Sequence, residues 1–227
     1  MRYQTRVTLL MLTANWANAH SWVEQLANIA SNGSYVSSFG YPRGFADKTV
    51  GSSFDQEANK WLLPRDADFI NETDLLCHPS QRVPNQAGGF SRLQTSPGSV
   101  IAMRYAENGH VTLPGGGEGL VGKPEKGGTV FVFSTEQPRP NETLQNVIHW
   151  TRDGKGGDRG GRLLTAQNFN DDRCYQLRTN VTALGKARRS KTPNPKPRQP
   201  GSEHELLCET DVKLPEDVAP SQPYTLY

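Results

Sequence analysis

Three observations point to an all-β fold with long loops. The strand-like runs are short, and each is bounded by Gly, Pro or Asn. β-branched and aromatic residues fill those runs, which suits a pleated, half-buried surface. The 22 glycines and 16 prolines among 227 residues interrupt the chain too often for a long coiled coil. No stretch of about 18 apolar residues offers a membrane-spanning helix. The length suits one domain with its own core, or a domain plus a tail.

The elements follow in order. Residues 22–30 fit either type: Trp22, Leu26 and Ile29 have helical spacing, while Val23-Glu24 could start a strand. The run SVIAMRY (99–105) follows Pro97-Gly98, and TVFVF (129–133) follows Gly127-Gly128. RCYQL (173–177) follows Asn170-Asp171-Asp172, and ELLCETDVKL (205–214) closes the ordered part. Several strands separated by long loops suggest two packed sheets. Residues 113–128 are rich in Gly and Pro and poor in apolar side chains. Residues 186–202 (KARRSKTPNPKPRQPGS) read as an extended, polyproline-like and solvated basic loop. Residues 216–227 read as a flexible tail.

The N-terminus has the form of a signal peptide, residues 1–19. Arg2 and Arg6 precede a short apolar stretch, and Ala17-Asn18-Ala19 is a small-x-small cleavage site. Four N-glycosylation sequons begin at Asn32, Asn71, Asn141 and Asn180. Together they predict a secreted, extracellular glycoprotein. The net charge is +2, with 25 Lys and Arg against 23 Asp and Glu. Removing Arg2 and Arg6 brings the two counts level, so no basic field argues for nucleic acid. Neither a nucleic acid nor a membrane is an expected partner, and a monomer is expected. Three cysteines, Cys77, Cys174 and Cys208, allow three single pairings. They are too few for a disulfide scaffold, so an apolar core must carry the fold.

Cleavage after Ala19 would make His20 the first residue. Its free α-amine and imidazole can chelate one metal ion together. A second histidine would complete three nitrogens, a donor set that suits Cu(II). The amine titrates near pH ~8, so copper can displace its proton at neutral pH. Of the other histidines, His110 is the best second ligand, because it follows the 99–105 strand in a Gly-containing turn. His78 lies beside Cys77 without zinc-site spacing. His149 reads as packing beside Trp150, and His204 lies among acids. No G-x-S-x-G and no complete P-loop motif occurs.

His20 at its cleavage site resembles the copper ligand of lytic polysaccharide monooxygenases, whose metal is held by a histidine brace. More closely, the chain resembles a group of secreted fungal proteins with monooxygenase-like features. The motifs that carry the resemblance are His20-Ser21-Trp22-Val23-Glu24-Gln25, Gly40-Tyr41-Pro42-Arg43-Gly44, Arg104 to Thr112 (RYAENGHVT) and Asn168 to Gln176 (NFNDDRCYQ). With Cys77 and Cys208 they span most of residues 20–215. The resemblance implies an immunoglobulin-like β-sandwich copper domain over 20–215. It implies oxidative cleavage of a polysaccharide with an external electron donor and oxygen or peroxide. It also implies an axial aromatic residue and a nearby Gln or Glu. Tyr175 is the first axial candidate, on a predicted strand near a cysteine. Phe169 is the rival, since Gln167-Asn168-Phe169 resembles a Gln-x-aromatic pattern in some members, with Gln167 in the outer shell. Asp171 shares their parity and could be a third ligand in a copper carrier. Glu107 is a further outer-shell candidate. The resemblance also favours a Cys77–Cys174 bridge.

Two other functions compete. The chain could be a non-catalytic copper-binding or cell-wall protein on the same fold, or an interaction protein without metal. The polysaccharide is not identified by the sequence. Trp22, Tyr35, Phe39, Tyr41 and Phe45 suit either a sugar-stacking surface or a core.

Overall fold

A computed structural model describes residues 21–46, 61–64, 68–112, 127–176, 182–193 and 205–227. Nine strands and two α-helices occur among them: β1 (Val23–Ile29), β2 (Tyr35–Gly40), β3 (Val100–Tyr105), β4 (Thr129–Thr135), α1 (Leu144–Val147), β5 (Arg162–Asn168), β6 (Tyr175–Gln176), α2 (Ala183–Lys191), β7 (Glu205–Leu206), β8 (Cys208–Lys213) and β9 (Thr225–Leu226). They form a four-stranded sheet in the order β2-β1-β3-β8, a three-stranded sheet β5-β4-β9 and a pair β6-β7. All pairings are antiparallel.

The core lies between the two larger sheets. Ile101 and Met103 of β3, Val212 of β8 and Leu214 beyond it pack with Val132 of β4. Each such side chain contributes about 1.5–3 kcal/mol by leaving water, and this contact makes the fold a sandwich. A smaller cluster of Phe133, Val147 and Trp150 extends the core toward α1. The ambiguous 22–30 segment is strand β1, with bulges between Val23 and Gln25 and between Leu26 and Asn28. Those bulges break strict alternation, which is why the segment also shows helical spacing.

Four expectations are corrected. First, 186–191 is not extended but belongs to α2. The Thr182 hydroxyl caps that helix by accepting the Gly185 N–H at 3.1 Å. Arg188, Arg189 and Lys191 sit in its last turn, where cations suit the helix dipole, and the helix stops ahead of Pro193. The remainder of the 186–202 segment, 194–202, lies outside the described residues, as does most of the 113–128 loop. Second, the tail is ordered at its end. β9 pairs with β4, the Tyr224 hydroxyl donates to Ser134 Oγ at 2.8 Å, and the Tyr227 ring meets Trp150 at 6.2 Å. Its aromatic residues bury enough surface to hold it there, and it covers an open edge of β4.

Third, the bridge joins Cys174 to Cys208, and Cys77 is a free thiol, so the expected Cys77–Cys174 pair does not form. The reason lies at Leu207. There the chain passes from β7, beside β6, to β8, beside β3, which carries Cys208 to the residue preceding β6. Fourth, β5 was not among the expected strands. Its buried positions are only partly covered, so its pattern is weak.

Candidate functional site

His110 stands on a turn that the sequence builds at the end of β3. The His110 N–H donates to the Glu107 carbonyl at 2.8 Å. Between them Asn108 (φ 43) and Gly109 (φ 78) both take left-handed backbone, which these two residue types tolerate best. The turn is then clamped from inside. Glu107 is 1% exposed, and its Oε2 accepts the N–H groups of Val111 at 2.9 Å and Thr112 at 3.2 Å. Its Oε1 accepts the Thr112 hydroxyl. The expected outer-shell acid is therefore the part that fixes the loop on either side of His110.

Phe169 faces that histidine. The two ring centroids are 5.0 Å apart, and Nε2 of His110 is buried. Tyr105 meets Phe169 from beneath at 4.9 Å and donates its hydroxyl to the Phe169 carbonyl at 3.1 Å. Burial pushes the Tyr105 hydroxyl up to about 12, so it remains a donor. Gly127 (φ 74) lies against the ring: a Cβ there would come within 2.9 Å of Phe169 Cδ1. Val111 and the Cys174–Cys208 bridge complete the cluster.

The chain enters β1 at the same end of the sheet. The Ser21 hydroxyl donates to the Ala106 carbonyl at 2.5 Å, and Val23 pairs with Tyr105. His20 itself lies outside the described residues.

The other candidates are placed differently. The Tyr175 hydroxyl donates to the Thr192 carbonyl at 2.7 Å, at the end of α2, while the ring 5.0 Å from His110 is that of the rival candidate, Phe169. Gln167 donates to the Asp211 carbonyl at 2.8 Å and to Thr165 Oγ1 at 3.1 Å, which ties β5 to β8. Asp171 is consumed by backbone: Oδ1 accepts the Arg173 and Cys174 N–H groups and Oδ2 that of Glu209. Asp171, Cys174 and Cys208 lie close enough to suggest a metal group among the described residues, but the two sulfurs are bonded to each other. His78 caps a short 3₁₀ turn, with Nδ1 accepting the Ser80 N–H at 3.2 Å. His149 is exposed, contrary to the packing role expected of it, and Trp150 is the residue that packs. His204 and Asn180 lie outside the described residues. Asn32 and Asn141 are exposed, Asn71 is half-buried, and the Asn32 and Asn71 carbonyls accept from Ser34 and Thr73 of their own sequons. Tyr41, Phe45 and Phe90 pack on one another at 4.7–5.0 Å, so Phe45 is core and not sugar surface.

Sequence reasoning missed a buried polar group on the outer face of the four-stranded sheet. Arg104 is 2% exposed and donates to Gln25 Oε1. Its Nε lies 3.7 Å from Glu209, and its guanidinium stands 5.4 Å from the Tyr35 ring centroid. The Tyr35 hydroxyl donates to Glu209. Burial raises the Glu209 carboxyl above its ordinary range and lowers Arg104 below its own. A charge inside an otherwise apolar strand was the available signal, since buried charges must be paired.

A family described as a domain of unknown function, DUF7492, matches residues 17–227. The chain belongs to this family. The matched span contains the Ser21 anchor, the Glu107–Thr112 turn, Phe169 and the bridge. No curated protein and no solved structure matches the chain. Among the described residues, no helix is long and apolar enough to cross a membrane.

Proposed function

We propose that the protein is a secreted, copper-dependent monooxygenase-like protein that oxidatively cleaves a polysaccharide. The observation that carries this reading is the clamped His110 turn, faced by Phe169, at the sheet end where Ser21 is anchored. His20 is the covalent neighbour of Ser21, so a chain that begins at His20 has its α-amine and imidazole within a residue's reach, about 3.8 Å per step, of that anchor. The donor set fits Cu(II): two imidazoles and an amine, all nitrogen. Copper, when bound, supplies the redox chemistry with an external electron donor and oxygen or peroxide.

The chain's own residues do the rest. Glu107 holds the His110 loop in one conformation, so the imidazole is presented without reorganisation. Phe169 offers an apolar face where a tyrosine would offer a hydroxyl, and Tyr105 packs against it. The disulfide fixes the segment following Phe169 to β8. Export is supported by Ala17-Asn18-Ala19, by the exposed sequon asparagines Asn32 and Asn141, and by the bridge.

A second reading, a copper carrier without cleavage, is favoured by Gln167, whose amide is committed to Asp211 and Thr165. Product analysis separates the two. Copper-loaded protein with ascorbate and peroxide should release oxidised oligosaccharides from a cell-wall polymer. Copper uptake with no oxidised product from cellulose, chitin, xylan, glucan or pectin would leave the carrier. An N-terminus other than His20 in the secreted protein would remove the brace and defeat both.

A further inference from the structure

The helix α2 is attached to the same two segments that present His110 and Phe169. At its start the Thr182 hydroxyl donates to the Thr112 carbonyl at 2.6 Å, two residues past His110. Further along, Arg188 Nη1 donates to Asn170 Oδ1 at 3.1 Å, one residue past Phe169, and to the Cys174 carbonyl at 2.7 Å. Arg188 is 9% exposed and so is used up in fixing the helix. The exposed carboxylate nearest to it, Asp172, lies 3.6 Å from its Nη2.

The other three bases of α2 are not used in this way. Lys186, Arg189 and Lys191 are exposed, and none forms an ion pair with any described residue. The helix sequence ALGKARRSK holds no acid to offset them. Lys186 and Arg189 are three residues apart, so they are neighbours on the helix surface, offset by about 4.5 Å along the axis. That spacing is comparable to one sugar repeat. The helix is basic while the whole chain is nearly neutral, at +2, so the field is local to this face. It carries no aromatic side chain on which a nucleic-acid base could stack.

We infer that α2 is a docking face for an acidic polysaccharide, a polymer bearing one carboxylate per sugar, held by Lys186 and Arg189 beside the His110 turn, with Lys191 adding positive charge from further round the helix. That the polymer is a substrate as well as a ligand rests on the copper reading above. Docking itself does not.

The test uses the full secreted chain and a triple variant, Lys186→Gln, Arg189→Gln and Lys191→Gln, which leaves Arg188 and the Thr182 cap in place. A charge-reversed triple, K186E/R189E/K191E, is the second variant. Binding to soluble polygalacturonate is compared with binding to a neutral β-glucan and to single-stranded RNA. The wild type should bind polygalacturonate in preference to both, and added salt should weaken that binding. The Gln variant should bind about tenfold more weakly, and the Glu variant should not bind. A melting curve checks that each variant folds. Wild-type binding no stronger to polygalacturonate than to the neutral glucan would overturn the inference. So would equal binding by the wild type and a folded variant, or RNA bound as tightly as the polyuronate. Copper titration of the same proteins is read separately. A wild type that takes up no copper defeats the copper reading, while the binding comparison still decides this one.

Discussion

Replacing Glu107 tests whether the His110 turn is held by charge or merely by shape. In Glu107→Gln the size is kept, and the amide oxygen can still face the Val111 and Thr112 N–H groups. Its bonds then lose charge assistance, which is worth about half their strength. With hydrogen bonds to a charged group worth about 1.5–3 kcal/mol and neutral ones near ~1, two such bonds give a loss of about 2 kcal/mol. In Glu107→Ala both N–H groups are left buried without an acceptor, at about 1–3 kcal/mol each, and the loss rises to about 4 kcal/mol. For a chain of this size the melting shifts are about 4–8 °C and about 8–16 °C. Urea unfolding with a common slope is the assay. The order wild type, Gln, Ala should hold, and copper affinity should fall in the same order because the loop carries His110. Two results would refute the reasoning: Ala as stable as wild type, or Gln as damaging as Ala.

Three further outcomes follow from the bridge, the free thiol and the loop charges. The Cys174–Cys208 bond spans 34 residues of sequence, so its loss should cost about 4 kcal/mol in the chain-entropy model. Non-reducing peptide mapping should recover these two cysteines together. Cys77 should react slowly with iodoacetamide until the chain is unfolded, because burial pushes its thiol up to about 11; rapid native labelling would contradict that burial. Arg139 beside Asp158 holds that carboxyl down to about 2. A depressed carboxyl contributes stability above its unfolded value, near ~3.9, and loses it as pH falls toward 2. The urea midpoints of wild type and Asp158→Asn should therefore differ at pH 6 and converge at the acid end.

Some of this was legible from residues alone, and the reasons are local. Pro97-Gly98 and Gly127-Gly128 mark the starts of β3 and β4, and a strand between such breaks is decided within a few residues. Asn-Gly before His110 reads directly as left-handed backbone. The rest depends on contacts distant in sequence. Arg104 sits on the sheet's outer face, where a charge is normally solvated, and is buried only because Tyr35 and Glu209 arrive from β2 and β8. α2 has a weak apolar face and a Pro-rich sequel, so its anchors, Thr112, Asn170 and Cys174, could not be read from its own residues. β9 is held by β4, about ninety residues earlier, as the Tyr224–Ser134 bond records. The cysteine pairing turned on where the chain changes sheets, at Leu207. Phe169 and Tyr175 share parity and differ only in what lies beside each ring.

The central claim is that His110 and a mature N-terminal His20 hold one copper ion. Its most direct test is Cu(II) titration, followed by electron paramagnetic resonance, of the secreted chain and of His110→Ala. The account predicts one tightly held Cu(II) per chain with a nitrogen-rich signal. It predicts that binding weakens as pH falls through the imidazole and amine range, since protons compete for all three donors. His110→Ala should lose that site while keeping its fold. Equal copper affinity in the two proteins would contradict the account.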